Sequence, residues 1–167
     1  MRRLLYLLPI LLVAALLAVF WHGLDPDRDP HALPSALIGK PVPALELASL
    51  QEGAAAVSLA ALKGQPVAIN FFASWCLPCR AEHPMLGKIA AEYGIKVIGI
   101  AYKDKPDAAR GYLADLGNPY AAVGQDESGR GGIEFGITGV PETYIVDRDG
   151  IVRYRLPGPI SPENLDA

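Results

Sequence analysis

Val67-Ala68-Ile69-Asn70-Phe71-Phe72-Ala73-Ser74-Trp75-Cys76-Leu77-Pro78-Cys79-Arg80 is the stretch on which the reading of this chain turns. It holds the only two cysteines, two residues apart. The apolar run before them predicts a buried strand. The recurrence of Met85, Leu86, Ile89, Ala90 and Tyr93 after them predicts a helix closed by Gly94. A Cys-x-x-Cys pair at a strand-to-helix junction lies where unpaired amides and the helix dipole stabilise a thiolate. That is the chemistry of thiol–disulfide exchange. A structural zinc site normally needs four ligands, and no second Cys-x-x-Cys or close histidine pair exists. A static bridge across so short a loop would constrain little of the unfolded chain.

Working outward, 167 residues suffice for one domain of ordinary size. From Leu4 to Trp21 no residue carries a charge. About 20 mostly apolar residues span a bilayer, so this run is read as an uncleaved transmembrane anchor. Arg2 and Arg3 precede it and Asp25, Asp27 and Asp29 follow, which predicts a cytoplasmic N-terminus and an exported domain. The competing reading is a cleaved signal peptide, with a shorter apolar region of about 7–15 residues and a small-x-small site. The run instead ends in Ala18-Val19-Phe20-Trp21-His22. All 18 acidic residues lie after the run, against 15 basic ones of which two precede it, so the exported part is acidic. No Lys/Arg block marks a nucleic-acid footprint, and nucleic acid is excluded as a partner.

The expected organisation is residues 1–24 as cytoplasmic tip and anchor, 25–36 as a periplasmic linker, and 37–167 as the folded domain. His22 and His31 are read as solvated residues with no partner at metal-ligand spacing. A short strand is expected over 44–47 and a helical turn over 58–63, with Ser58 capping it. The strand 67–72 leads into the cysteine-bearing helix, about 76–93, and a second apolar strand, 97–101. A helix follows from about Asp104 to Leu116, then a brief strand at 121–123. Gly124 to Gly136 is expected to be loop, with at most a turn near 133–135. Thr143–Val146 and Ile151–Tyr154 flank Asp147-Arg148-Asp149-Gly150, a hairpin signal. The order implies an α/β fold with a mixed central sheet flanked by helices. With the cysteines at the first strand-to-helix junction, it resembles a thioredoxin fold.

A narrower resemblance runs from about Ala36 through Gly158. It is carried by Ser35 to Pro43, Trp75-Cys76-Leu77-Pro78-Cys79-Arg80-Ala81-Glu82-His83-Pro84, Tyr102-Lys103-Asp104, Leu116 to Tyr120, Gly139-Val140-Pro141-Glu142-Thr143 and Ile151 to Arg155. These stretches, in order and at family spacing, resemble the DsbE/CcmG family of membrane-anchored, periplasmic thioredoxin-like proteins. Two features depart from the family: the pair between the cysteines is Leu77-Pro78, and about one helical turn, at Ser161-Pro162-Glu163, stands where the family has a full C-terminal helix.

The resemblance implies a disulfide oxidoreductase in the reducing direction, acting on the haem-binding cysteines of apocytochrome c or on a haem-handling maturation component. It implies electrons from a membrane thiol-reductant conduit, and no cofactor or metal beyond the redox pair Cys76–Cys79. Cys76, at the helix start, is expected to be the accessible nucleophile and Cys79 the resolving thiol. Pro141 is expected to be cis, with Val140 and Pro141 presenting backbone to an extended client. Glu82 and Glu142 are expected near the dithiol, where a carboxylate could take the proton of Cys79. Trp75 is expected to shield the thiols and touch the client. Arg80 and His83 are read as surface residues. The rival readings are a general exported reductase for another client, or a copper or haem chaperone.

Overall fold

A computed structural model describes residues 2–23 and 35–165, with the side chains of the first helix given at 8–21 and at 23. The chain forms two compact units, divided between Leu33 and Pro34. In the first, helix α1 (Arg2–Gly23) continues through Pro9. Among the described residues no helix is long and apolar enough to cross a membrane, so the span expected over 4–21 is not shown. The linker expected at 25–36, with His31, lies almost wholly outside the described residues, and so does the side chain of His22.

The second unit is built on strand β3 (Val67–Phe72), in which all six residues are buried. Before it, β1 (Glu46–Leu47) and β2 (Val57–Ser58) pair as a small antiparallel ribbon. A 3-10 turn, Leu59–Ala61, follows; Ser58 precedes it without donating or accepting a capping side-chain bond, unlike its expected role. After β3 come α2 (Leu77–Glu92), β4 (Lys96–Tyr102), α3 (Pro106–Leu116), β5 (Ala122–Asp126), α4 (Arg130–Phe135), β6 (Glu142–Val146), β7 (Val152–Pro157) and the one-turn α5 (Pro162–Leu165). The main sheet has the order β5-β4-β3-β6-β7. β3 pairs in parallel with β4 and antiparallel with β6, so it lies at the centre of a mixed sheet.

A strand with both faces covered needs apolar residues at every position rather than every second one. Alternation along β3 sends Ala68 and Phe72 into a core with Leu86 and Ile89 of α2 and Tyr112 and Leu113 of α3. Val67, Ile69 and Phe71 enter the opposite core with Leu59, Phe135, Tyr144 and Val146. Successive strand side chains point to opposite faces. Asn70 therefore lies on the α2 side, a polar residue in a wholly buried strand.

The segment read as loop, 124–136, differs most from expectation. β5 continues to Asp126 and α4 follows, bracketed by Gly129 and Gly136, both left-handed. Glycines disfavour a helix locally. Here the buried Asp126 Oδ2 accepts the Gly132 N–H at 2.9 Å. A Cβ at Gly132 would meet the Tyr102 ring. Packing chooses the glycines, and the helix forms in spite of them.

Gly99, in the middle of β4, has a similar constraint. A Cβ there would lie 2.9 Å from Tyr120 Cγ and 3.0 Å from Phe72 Cε1, two rings stacked at 4.9 Å. Overpacking of this kind costs about 1–3 kcal/mol. Gly99→Ala is therefore expected to lower the unfolding free energy from urea titrations by about 1–3 kcal/mol, and an unchanged value would show that the rings yield freely.

Candidate functional site

Cys76 ends the loop after β3 and serves as the N-cap of α2, with φ −89° and ψ 107°. Pro78 stands in the first turn, where its missing N–H removes nothing from the helix. The first N–H groups of a helix have no partner within it. The N–H of Cys79 donates to Cys76 Sγ at 3.1 Å. The backbone thus aims a donor at this sulfur and, among the described hydrogen bonds, at no other. The two cysteines form a disulfide with an S–S distance of 2.05 Å.

The Val140–Pro141 peptide bond is cis, as the resemblance implies. The Val140 carbonyl oxygen lies 3.5 Å from Cys76 Sγ. Cys76 itself is only 4 % exposed, less open than a nucleophile at a helix start suggests, and Cys79 is 1 % exposed. The rim is apolar: Trp75 and Leu77 are 61 % and 77 % exposed. Trp75 donates its indole N–H to the Lys103 carbonyl at 3.3 Å. Asp104 accepts both the N–H and the hydroxyl of Ser74, at 2.6 and 2.9 Å, and anchors the loop that carries Trp75. The Tyr102-Lys103-Asp104 stretch, legible only as a likeness, is thus a clamp on the cysteine loop.

Glu82 is 1 % exposed, one turn after Cys79 on α2. Its Oε1 accepts an Asn70 Nδ2–H at 2.9 Å, and its Oε2 accepts the Ile160 N–H at 2.9 Å. Burial pushes its pKa up to about 7; the two N–H donors pull the other way. A carboxyl group poised near neutrality beside a dithiol is suited to proton transfer.

Glu142 is equally buried but lies elsewhere. It pairs with Phe71 across β3 and β6, so its side chain is on the face away from α2 and the cysteines. Its oxygens accept from Arg155 Nε at 2.7 Å and Nη2 at 3.0 Å, from Tyr144 Oη at 2.6 Å, and from the N–H and hydroxyl of Thr138 at 3.3 Å. The Arg155 side chain is 6 % exposed. The expectation that the Glu142 carboxylate faces the dithiol is therefore corrected: strand alternation turns it away and a guanidinium neutralises it.

His83, expected on the surface, is 6 % exposed. Its Nε2–H donates to the Gly117 carbonyl at 3.0 Å, and Nδ1 lies 3.1 Å from the Tyr112 hydroxyl. That hydroxyl donates to the Cys79 carbonyl at 3.0 Å. Burial, more than the nearby Arg80 charge, holds the imidazole below its usual pKa, against the pull of the Gly117 carbonyl. Arg80 is exposed, with its guanidinium 5.1 Å from the Tyr112 ring centroid.

Residues 37–167 match the Redoxin family model. The chain is 42 % identical over 158 residues to the thiol:disulfide interchange protein DsbE of Pseudomonas aeruginosa, covering 95 % of this chain and 86 % of that protein. The DsbE/CcmG family is thereby shown. This chain belongs to it. The protein is likewise 38 % identical to the thiol:disulfide interchange protein HelX of Rhodobacter capsulatus, over 98 % of this chain and 92 % of that one. A solved DsbE-type structure from Chlorobium tepidum superposes with a TM-score of 0.68 at 27 % identity, covering 80 % of this chain and 91 % of that one. The Cys76–Cys79 pair on this thioredoxin-like scaffold makes the DsbE-family chain a disulfide oxidoreductase.

Sequence reasoning passed over Asn70, Tyr120, Thr143 and Arg155 as site residues. The signal for Asn70 was available: it is a polar residue inside an apolar strand pattern, which has to meet a partner.

Two outcomes follow from the carboxylates. Glu82 holds its proton in the folded chain to about pH 7 but releases it near 4.5 when unfolded. The stabilisation is complete below 4.5 and is lost as pH rises through 7. In the oxidised protein, unfolding free energy is expected to fall by on the order of 3 kcal/mol from this group alone between those limits. Glu82→Gln is expected to flatten that slope in urea titrations, and an unaltered slope refutes the assignment. Arg155→Met, which strands the buried Glu142, is expected to cost about 3–5 kcal/mol. Adding Glu142→Leu should recover much of the loss; no recovery would mean that the pair is not the source.

Proposed function

We propose that this protein reduces the disulfide of apocytochrome c haem-binding cysteines, so that haem can be attached. The observation that carries the reading is the single N–H of Cys79 aimed at Cys76 Sγ, beside the Val140 carbonyl and beneath an apolar rim. In the reduced protein, this N–H and the α2 N-terminus favour the thiolate at Cys76.

The Cys76 thiolate attacks one sulfur of the client disulfide. The client S–S bond breaks, a mixed disulfide forms, and the displaced client thiolate takes a proton. Cys79 then gives its proton to Glu82, and its thiolate attacks Cys76 Sγ. The second client thiolate leaves, the Cys76–Cys79 bond forms, and two electrons have passed to the client. Val140 and Pro141 offer backbone to an extended client segment, and Trp75 and Leu77 offer apolar surface. No cofactor or metal enters these steps. Electrons return from a membrane thiol-reductant conduit.

Residues 4–21 anchor the chain in the bacterial inner membrane, with the catalytic domain in the periplasm. The uncharged run between Arg2-Arg3 and the three following aspartates supports this reading. The link to cytochrome maturation draws on the likeness of Tyr102-Lys103-Asp104 and Gly139 to Thr143 to the DsbE/CcmG pattern.

Cys79→Ser is expected to accumulate a mixed disulfide between Cys76 and an apocytochrome c peptide carrying the oxidised haem-binding pair, and Cys76→Ser to accumulate none. Iodoacetamide labelling of the reduced protein should show Cys76 titrating below the ordinary thiol value of about 8.5. Trapping of other envelope proteins to the exclusion of apocytochrome c would assign a different client, and equal labelling of the two thiols would overturn the division of roles.

A further inference from the structure

Asn70 lies at the centre of β3, fully buried, and its side-chain amide has every hydrogen placed. Nδ2 donates one hydrogen to Glu82 Oε1 at 2.9 Å and the other to Thr143 Oγ1 at 3.0 Å. Oδ1 accepts the Tyr120 hydroxyl at 2.9 Å. That last bond fixes which end of the amide faces which neighbour. Turned over, Oδ1 would confront the carboxylate oxygen of Glu82. Tyr120 is itself held, 6 % exposed, with its ring stacked on Phe72. Thr143 follows Pro141 and Glu142 on β6. One amide thereby joins the central strand, the cysteine-bearing helix, the strand after the cis proline and the approach to β5.

The consequence falls on Glu82. With Asn70 at Oε1 and Ile160 N–H at Oε2, each oxygen already meets one donor. The carboxylate cannot rotate without losing both. A proton it takes up has to occupy a remaining lone pair, on a side facing neither Asn70 nor Ile160. An aspartate in place of Asn70 would set two carboxylates against each other; an apolar residue would leave Oε1 without its donor.

We propose that Asn70 is a positioning residue for the thiol exchange, its amide, latched by Tyr120 and Thr143, holding Glu82 as the acceptor of the Cys79 proton. The inference rests on the reading that Glu82 takes that proton. In the step concerned, the Cys79 S–H bond breaks, an O–H bond forms on Glu82, and no electrons change hands. The other titratable groups coupled to Glu82 are Tyr112 of α3 and Tyr120, each held neutral by burial first and by the Glu82 charge as well, while His83, next on the helix, bonds to Gly117 and Tyr112 instead. None of them offers a second donor to its oxygens among the described hydrogen bonds. The direction of the Asn70 contribution, downward on a carboxyl that burial raises, agrees with this geometry.

The test is carbon-13 NMR of the Glu82 carboxyl against pH in the full-length oxidised chain in detergent micelles, where the cysteines do not titrate. Glu82→Gln supplies the assignment. Asn70→Leu is expected to raise the Glu82 midpoint by about one pH unit, the scale of one lost hydrogen bond to a charged group. Tyr120→Phe, which leaves Asn70 in place but unlatched, should move it the same way by less, and it decides the matter if Asn70→Leu does not fold. A midpoint unchanged in the folded variants overturns the inference. In the reduced protein, the pH profile of mixed-disulfide release should shift with the Glu82 midpoint. If Glu82→Gln leaves that profile where it was, the proton-acceptor reading fails, and Asn70 loses its place in the reaction while still setting the state of Glu82.

Discussion

A carboxyl group in the core of a small domain persists only where the fold supplies donors for it. Glu82 is such a group, and much of the active half of this protein is arranged about it. Its partners come from β3 and from the segment before α5, while its own helix is capped by Cys76. Burial favours its neutral form and the two N–H donors favour its charged form. Burial outweighs the donors, and the resulting value of about 7 suits a group that takes and gives up a proton near neutral pH. The wholly buried strand β3 is what makes this possible, because it excludes water from Asn70 and Glu82 alike.

Glu82 and Glu142 show how little burial alone says about chemistry. Both are 1 % exposed. Glu82 meets only neutral donors, and its proton affinity rises. Glu142 meets the Arg155 guanidinium in a two-point contact and is a structural charge at the junction of β6 and β7. The difference arises from one step along a strand. Thr143, next to Glu142, points toward Asn70 and the dithiol side, while Glu142 points to the opposite core. Two adjacent residues thus serve different faces of the same sheet.

The loop holding Cys76 is fixed from outside the helix it caps. Asp104 takes two hydrogen bonds from Ser74, and the Lys103 carbonyl takes one from Trp75. These hold Trp75 exposed at the rim while the sulfur of Cys76 stays recessed beneath it. The approach to Cys76 is therefore edged by the exposed Trp75 and Leu77 rather than left open at the sulfur.

By itself the sequence determined the redox pair, the strand and helix around it, and the hairpin of β6 and β7. It could do so because a two-residue cysteine spacing, an unbroken apolar run and an Asp-Gly turn each express a local rule. It also pointed, through likeness, to the cis bond before Pro141. Tertiary structure alone decided which way each buried polar side chain faces and what meets it there. Glu142 was placed beside the dithiol from its nearness to Pro141 in sequence, and strand alternation put it on the other face. Residues 124–136 read as loop because glycine opposes helix locally; contact with Tyr102 and Asp126 made them strand and helix. Asn70 drew no notice in an apolar run, although its three partners come from 12, 50 and 73 residues away. A polar residue in an apolar run signals that a partner exists, but contacts of that separation leave no local mark of which partner it is, and here one such partner is the carboxyl group one turn after Cys79.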